Sequence, residues 1–263
     1  MCELLGMCFN QPVQPKVSFR AFRKRGRYNP DGWGLAFYPD KSAIVFKEPL
    51  MSEVSLLSRF VQGYSYIRSK IFVAHVRHGS AGARSYKNTH PFSRELNGVE
   101  YVFAHNGTLY NFKSLELGRF KPLGDTDSEY VFCHILDEIE KRKIEEWTES
   151  EFRWLYEKFR EINEYGTFNC LMSNGKYLFA YHDLDGYEGL HYVKRVAPFG
   201  PIVLLDEDYE INLAEEKDPS QRGYIVATKP LTNESWQNFK PGEFIVFKNG
   251  DVIYPPGKEP KQA

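Results

Sequence analysis

Hydrophobic positions along the chain change their period twice. The first half carries short apolar runs bounded by polar or turn residues: ELLGMCF (3–9), WGLAFYP (33–39), AIVFK (43–47), KIFVAHVRH (70–78) and VEYVFAHNG (99–107). Such runs predict buried strands, and Pro39-Asp40 between the second and third predicts a hairpin. Within this half, SEVSLLSRFVQ sets Leu56, Leu57, Phe60 and Val61 at helical spacing behind Ser52, a good N-cap residue. The period then lengthens. From Asp127, DSEYVFCHILDEIEKRK puts Val131, Phe132, Ile135, Leu136 and Ile139 on one helical face. Acid in its first turn and Lys141, Arg142 and Lys143 at its end suit the helix dipole. Thr148 and Glu151 predict a capping box for a second helix, TESEFRWLYEKFREINEYG, closed by Gly166. Short apolar runs then return: FNCLMS, YLFAYHD, LHYVKR, PIVLL, YIVAT and a hairpin EFIVFKNGDVIY turning at Asn249-Gly250. Strands, two helices, then strands predict a layered fold of sheets and helices rather than repeating βαβ units. No internal repeat interrupts the order, and PPGKEPKQA reads as a frayed tail.

Composition narrows the classes open to such a chain. Its 263 residues, 42% hydrophobic and 16% aromatic, suffice for a globular core and exclude a disordered chain. A net charge of -1 argues against a general nucleic-acid binder. The one basic cluster, RAFRKRGR (20–27), reads as the flank of a solvated loop, with a phosphate site as the alternative. No apolar run approaches the roughly 20 residues needed to cross a bilayer, and no signal peptide is evident. Cys2, Cys8, Cys133 and Cys170 form no C-x-x-C pair, which suits a reducing cytoplasm.

Cys2 follows the initiator Met1 directly, so removal of Met1 would expose a thiol and an α-amine on one residue. Ordinary pKa values of roughly 8.5 and 7.7–8.0 let that amine serve as the thiol's base. HVRHGSAG (75–82) sets Arg77 at a strand end beside a glycine-rich turn, able to grip a carboxylate or to form a structural ion pair. His75 and His78, three apart on a strand, face opposite sides and do not share a metal. In AHNGTL, an oxyanion hole could form from the Asn106 amide and the Gly107 N–H; the plain alternative is a turn. In GDTDSE (124–129), one of Asp125 and Asp127 is expected to cap the helix, leaving the other for a substrate ammonium. Glycines in NPDGWGLAFY (29–38) allow close approach of backbone. Nucleophile, base, oxyanion donors and clamps for carboxylate and ammonium together make the inventory for cleaving the side-chain amide of an α-amino acid.

In family order, MCELLGM, DGWGLAFY, HVRHGSAG, NTHPF, YVFAHNGTLYN and GDTDSE resemble the class II glutamine amidotransferases, members of the N-terminal nucleophile hydrolases. The likeness is greatest to their stand-alone branch, and RVAPFGPIVLLD, ATKPLT and PGEFIVF extend it over nearly the whole chain. The resemblance implies an α+β fold, a four-layer αββα sandwich of two mainly antiparallel sheets between helical layers. It implies one domain over residues 2–255 with a tail at 256–263, and no cofactor or metal. Cys2 would attack the γ-carbonyl of glutamine, with Asn106 and Gly107 as the oxyanion pair. Arg77 would bind the α-carboxylate and Asp127 the α-ammonium, while His78 to Gly82 falls where the family has a loop folding over bound glutamine. Ser80 stands where the synthetases carry Thr, keeping a hydroxyl for the carboxylate. Little chain follows Tyr254, so no acceptor domain is expected in cis. The expected function is therefore γ-amide cleavage of glutamine or another γ-glutamyl compound. The alternatives are a glutaminase subunit serving a separate synthase and an idle γ-glutamyl-binding module. The expected partner is a small molecule, not nucleic acid or membrane; the oligomeric state, a homodimer included, stays open.

Overall fold

The computed structural model describes residues 1–79 and 82–258. In chain order its strands are β1 (Glu3–Val13), β2 (Gly32–Phe37), β3 (Ile44–Glu48), β4 (Ser69–Arg77), β5 (Phe92–Leu96), β6 (Val99–Leu109), β7 (Gly166–Ser173) and β8 (Leu178–Tyr181). They continue as β9 (His191–Val196), β10 (Pro201–Leu204), β11 (Tyr209–Asn212), β12 (Arg222–Ala227), β13 (Gln237–Asn238), β14 (Phe244–Lys248) and β15 (Asp251–Tyr254). The helices are α1 (Lys16–Lys24), α2 (Leu56–Gly63), α3 (Asp127–Arg142), α4 (Glu149–Asn163) and the short α5 (Leu213–Glu216).

Two large sheets form, each antiparallel throughout, in the orders β13-β9-β12-β1-β4-β2-β3 and β15-β14-β8-β7-β6-β5. Side-chain alternation splits each strand between two cores. Leu4, Ile71 and Val73 of the first sheet meet Val102, Ala104 and Leu171 of the second in a layer between the sheets. Leu5, Phe72 and Ala74 face the other way, onto Phe19 and Phe22 of α1 and Val61 of α2. Phe103 and Phe168 likewise face Phe132 and Leu136 of α3 and Leu155 and Phe159 of α4. The result is the four-layer αββα sandwich, with β1 at the centre of its first sheet.

The strands fall where the apolar runs place them, and both hairpins and the Thr148–Glu151 capping box form. Several local expectations are corrected. Helix α2 starts at Leu56 with Ser55 as its cap, accepting from Ser58 N at 2.9 Å. Ser52 instead donates to the Arg23 carbonyl at 2.6 Å, and only Leu57 and Val61 pack inward while Leu56 and Phe60 stay exposed. Gly166 opens β7 instead of closing α4.

The basic cluster is only in part the expected solvated flank: Arg27 stays exposed, while Arg23 at the end of α1 and Arg25 just beyond it turn inward onto protein partners. Arg23 donates to Ser58 Oγ and to the carbonyls of Ser52 and Glu53. Arg25 pairs with Asp206, with Glu3 at 3.1 Å, and donates to the Pro230 carbonyl at 2.8 Å. Burial pushes the Glu3 carboxyl up despite that guanidinium, so the pair gains little beyond its own desolvation. Deleting one partner is a different matter. Arg25→Ala is expected to cost about 3–5 kcal/mol by stranding the buried Glu3 carboxylate and the part-buried Asp206. Arg222→Ala, whose pair with Asp251 is half exposed and screened by solvent, is expected to cost far less. Urea unfolding of the two variants measures the contrast, and equal losses would refute it.

Candidate active site

The site assembles at one end of both sheets. Antiparallel register pairs Glu3 with Val76, Leu4 with His75 and Leu5 with Ala74. One step further, Cys2 stands beside Arg77, and its Sγ lies 3.2 Å from both the amide nitrogen and the carbonyl oxygen of His78. Thr228 holds β1 from the other side: Leu4 N donates to its Oγ1 at 2.9 Å and Thr228 N returns a bond to the Leu4 carbonyl at 3.1 Å. Alternation points Cys2 and Arg77 the same way as Leu4 and Val73, into the layer between the sheets.

Beyond Arg77 the chain folds back over its guanidinium. Asp31 N donates to the Arg77 carbonyl at 3.0 Å, and Asp31 Oδ2 accepts from Gly79 N at 2.8 Å. A Cβ on Gly79 would sit 2.9 Å from Arg77 Nη1, so a side chain there would displace the guanidinium. Arg77 Nη2 donates to the Gly82 carbonyl at 3.0 Å. Ser80 lies outside the described residues.

Strand β6 brings the second set. Asn106 and Gly107 pair with Asn169 and Phe168 of β7, and a Cβ on Gly107 would lie 2.0 Å from the Thr167 carbonyl, so the approach demands glycine. The expected turn is thus a strand. Alternation from Val102 and Ala104 sends Asn106 inward between the sheets, where it is buried. Its Nδ2 has no hydrogen-bond partner among the described residues. An unspent buried donor is costly to keep without a use.

Helix α3 supplies the third set from its first turn. Its cap is Thr126, accepting from Glu129 N at 3.2 Å, not either aspartate; Asp125 is exposed and pairs with Lys87. Asp127 is buried, its Oδ2 accepting from Leu109 N at 2.8 Å and its Oδ1 from Ser128 N at 2.9 Å. His105 completes the support. Its Nε2 faces the Thr167 carbonyl at 3.1 Å, an acceptor only, so Nε2 carries the proton. Burial pushes its pKa down and keeps the ring neutral, so Nδ1 accepts the Ser128 hydroxyl proton at 2.8 Å. That hydroxyl is then spent, and Asp127 keeps acceptor capacity toward the cavity.

Cys2, Arg77, His78, Gly107 and Asp127 line one cavity of about 20 Å³, together with His90, His105, Thr126 and Ser128. A volume of that size holds one water. Asn106, adjacent to Gly107 in the chain, is not among the residues that line it. Among the described residues, four larger clefts of about 200 to 600 Å³ lie elsewhere and include none of these residues. Burial raises the Cys2 thiol above its ordinary pKa, against the lowering effects of the His78 N–H and Arg77. Among the described residues no group of His, Cys, Asp and Glu could hold a metal.

Nothing local in the sequence marks His90, His105, Ser128 or Thr126 as part of the site, although the two histidines lie in NTHPF and AHNG. His75 and His90 stack at 4.2 Å between ring centroids, fully buried, and none of their four ring nitrogens has a partner among the described residues.

An antiparallel αββα sandwich with a cysteine at the exposed end of its central strand defines an N-terminal nucleophile hydrolase fold. The chain belongs to the glutamine amidotransferases of class II, whose family profile matches residues 1–262. It is 52% identical over 254 residues to MJ1515 of Methanocaldococcus jannaschii, covering 97% of this chain and 71% of that one. It is 40% identical over 259 residues to "Putative glutamine amidotransferase YafJ" of Escherichia coli (strain K12), covering 96% and 100%. Among solved structures, a glutamine amidotransferase from Pseudomonas aeruginosa PA01, named there as predicted, superposes with TM-score 0.71 at 31% identity, over 96% of this chain and 99% of that one.

The buried histidines make a pH dependence. Burial lowers His75 to about 3 and His90 well below its ordinary 6.5, so both stay neutral in the folded protein while the unfolded chain takes up protons. Their contribution is full above pH 6.5 and is lost as pH falls from there toward 3. Each is expected to cost about 1.4 kcal/mol of stability per pH unit in that window. Thermal melts at pH 7.5, 6.5 and 5.5 test this; a melting temperature flat down to pH 5.5 would contradict burial of neutral imidazoles.

Proposed function

We propose that the chain hydrolyses the γ-amide of glutamine or of another γ-glutamyl compound, within a single catalytic domain over residues 2–255. The observation that carries the reading is the convergence of Cys2, Arg77, Gly107 and Asp127 on one cavity, with a buried, unspent amide on Asn106, the residue before Gly107. Removal of Met1 turns the Cys2 amide nitrogen into an amine. That amine takes the thiol proton as Sγ attacks the γ-carbonyl carbon, and the oxyanion is met by Asn106 Nδ2 and Gly107 N. Arg77 binds the α-carboxylate and Asp127 the α-ammonium, with Ser80 and His78 on the covering loop. The tetrahedral adduct expels the amine, which takes the proton back from Cys2. Water then cleaves the thioester, releasing glutamate and restoring the thiol.

Intact-mass analysis of the purified protein is expected to show Met1 absent, and an electrophilic glutamine analogue to add once, at Cys2. A chain retaining Met1 and left unlabelled would sink the proposal. Cys2→Ser is expected to lose most turnover while still binding substrate. Asn106→Ala should lower kcat by about 10²–10³ with little change in KM, because the oxyanion exists only in the transition state. A pure KM effect would remove Asn106 from that role. Stimulation of glutamate release by a second protein would identify a glutaminase subunit instead of a self-sufficient hydrolase.

A further inference from the structure

We propose that Asn88 is a positioning residue that sets the separation of the two substrate clamps, Arg77 and Asp127. The inference deepens the hydrolase reading and rests on it. An α-amino acid carries its carboxylate and its ammonium on one carbon, so the groups that bind them must stand at one fixed spacing. Here those groups come from different places. Arg77 ends β4 of the first sheet, whereas Asp127 opens α3, which packs on the second. A buried side chain joins the stretches of chain beside them.

Asn88 is fully buried. Its Nδ2 donates to the Ala83 carbonyl at 2.9 Å, and its Oδ1 accepts from Asp125 N at 2.9 Å. Ala83 follows Gly82, whose carbonyl accepts from Arg77 Nη2 at 3.0 Å. Asp125 precedes Thr126, the cap of α3, and then Asp127 itself. One amide thus holds the segment against the Arg77 guanidinium with one arm and the segment leading into Asp127 with the other. Both segments press on it through glycine. A Cβ on Gly82 would lie 2.7 Å from Asn88 Nδ2, and one on Gly124 would collide with Asn88 Oδ1. The gap between the two segments is therefore the width of that amide.

The amide is in turn held by its own neighbours. Asn88 closes a short 3-10 turn, Tyr86–Asn88, with its N–H donating to the Ser85 carbonyl at 3.2 Å. Thr89 donates through Oγ1 to the same carbonyl at 2.7 Å, and the Thr89 carbonyl accepts from Lys47 Nζ at 2.8 Å. The position demands a donor on one arm, an acceptor on the other and no charge, which a primary amide provides. Aspartate has the same shape and keeps the acceptor toward Asp125 N, but it sets an oxygen against the Ala83 carbonyl. The neighbouring Lys87–Asp125 ion pair is exposed at both ends and screened, so it adds little.

The test uses Met1-free full-length protein with glutamine and γ-glutamylglycine, reading glutamate release. In parallel, Cys2 is labelled with a diazoketone analogue of glutamine and with iodoacetamide, which carries neither α-group. Asn88→Asp is expected to raise KM for the better substrate at least about tenfold, the scale of one buried hydrogen bond turned into opposed acceptors, with kcat within about threefold. Labelling by the glutamine analogue should slow by a similar factor while labelling by iodoacetamide stays unchanged. Gly124→Ala, which displaces the amide without removing it, should give the same pattern. Lys87→Gln should leave KM within about twofold. Thermal melts show which variants are folded, and either Asn88→Asp or Gly124→Ala suffices. A loss of kcat at unchanged KM, equal slowing with both reagents, or a Lys87→Gln effect matching that of Asn88→Asp would overturn the positioning role while leaving the hydrolase standing. An unsubstituted protein that yields no glutamate and takes no glutamine analogue would instead overturn the hydrolase reading itself.

Discussion

Everything at this site depends on the register of β1. The strand lies between β4 and β12, and a slip of one residue would exchange its faces. Cys2 would then point toward α1, and Glu3 would enter the apolar layer between the sheets. The Glu3–Arg25 pair forbids this, because a buried carboxylate has a partner on one face only. Thr228 adds two bonds to Leu4 that exist in one register. An ion pair of small net energy thereby has a large effect on where the thiol points. Its worth is geometric, which is how a pair that barely repays its desolvation can still matter.

The remaining groups come from three other elements, β4 of the same sheet, β6 of the second sheet and α3, and each is fixed by its own scaffold. Arg77 is the last residue of β4, so the sheet fixes its backbone while the turn at Gly79 folds over its head. Asn106 and His105 are neighbours on β6 that face opposite ways. The histidine is spent on Thr167 and Ser128, while the asparagine keeps an unspent donor. Asp127 takes two backbone N–H bonds at the start of α3, where the helix dipole also favours a carboxylate. A substrate ammonium would meet a carboxylate already fixed in place.

Most strands were legible because apolar runs bounded by turn residues have few other uses. Helix α1 was not. In KVSFRAFRK the arginines mask the apolar face, and only the structure shows Arg23, and Arg25 just beyond the helix, turned inward to buried partners. The N-cap errors share one cause: SEVS and GDTDS each hold several capping residues within four positions, and packing chooses among them. Cys2, Arg77, Asn106, Gly107 and Asp127 were legible through motif order, and the structure brings four of the five onto one cavity. The support under them was not legible. His105, Ser128, Asn169 and Asp183 act through pairings 13 to 23 residues or more apart, which no local pattern records. HDLDGYEGLHY was visible as an aromatic, acidic stretch, but only the fold sets Tyr187 against Met1.

The choice of base follows from which groups still have a lone pair to give. The thiol is raised by burial, so it loses its proton only to something basic and near. His105 has committed both ring nitrogens. His90 lines the cavity with its nitrogens unspent, yet burial holds its pKa well below 6.5, so proton transfer from a raised thiol to it runs steeply uphill. An α-amine, ordinarily at roughly 7.7–8.0, stands far closer to the thiol and rides on the same residue. While Met1 remains attached that nitrogen is an amide and accepts no proton. On the proposed mechanism, the same burial keeps the thiol protonated until the bond before Cys2 is cut.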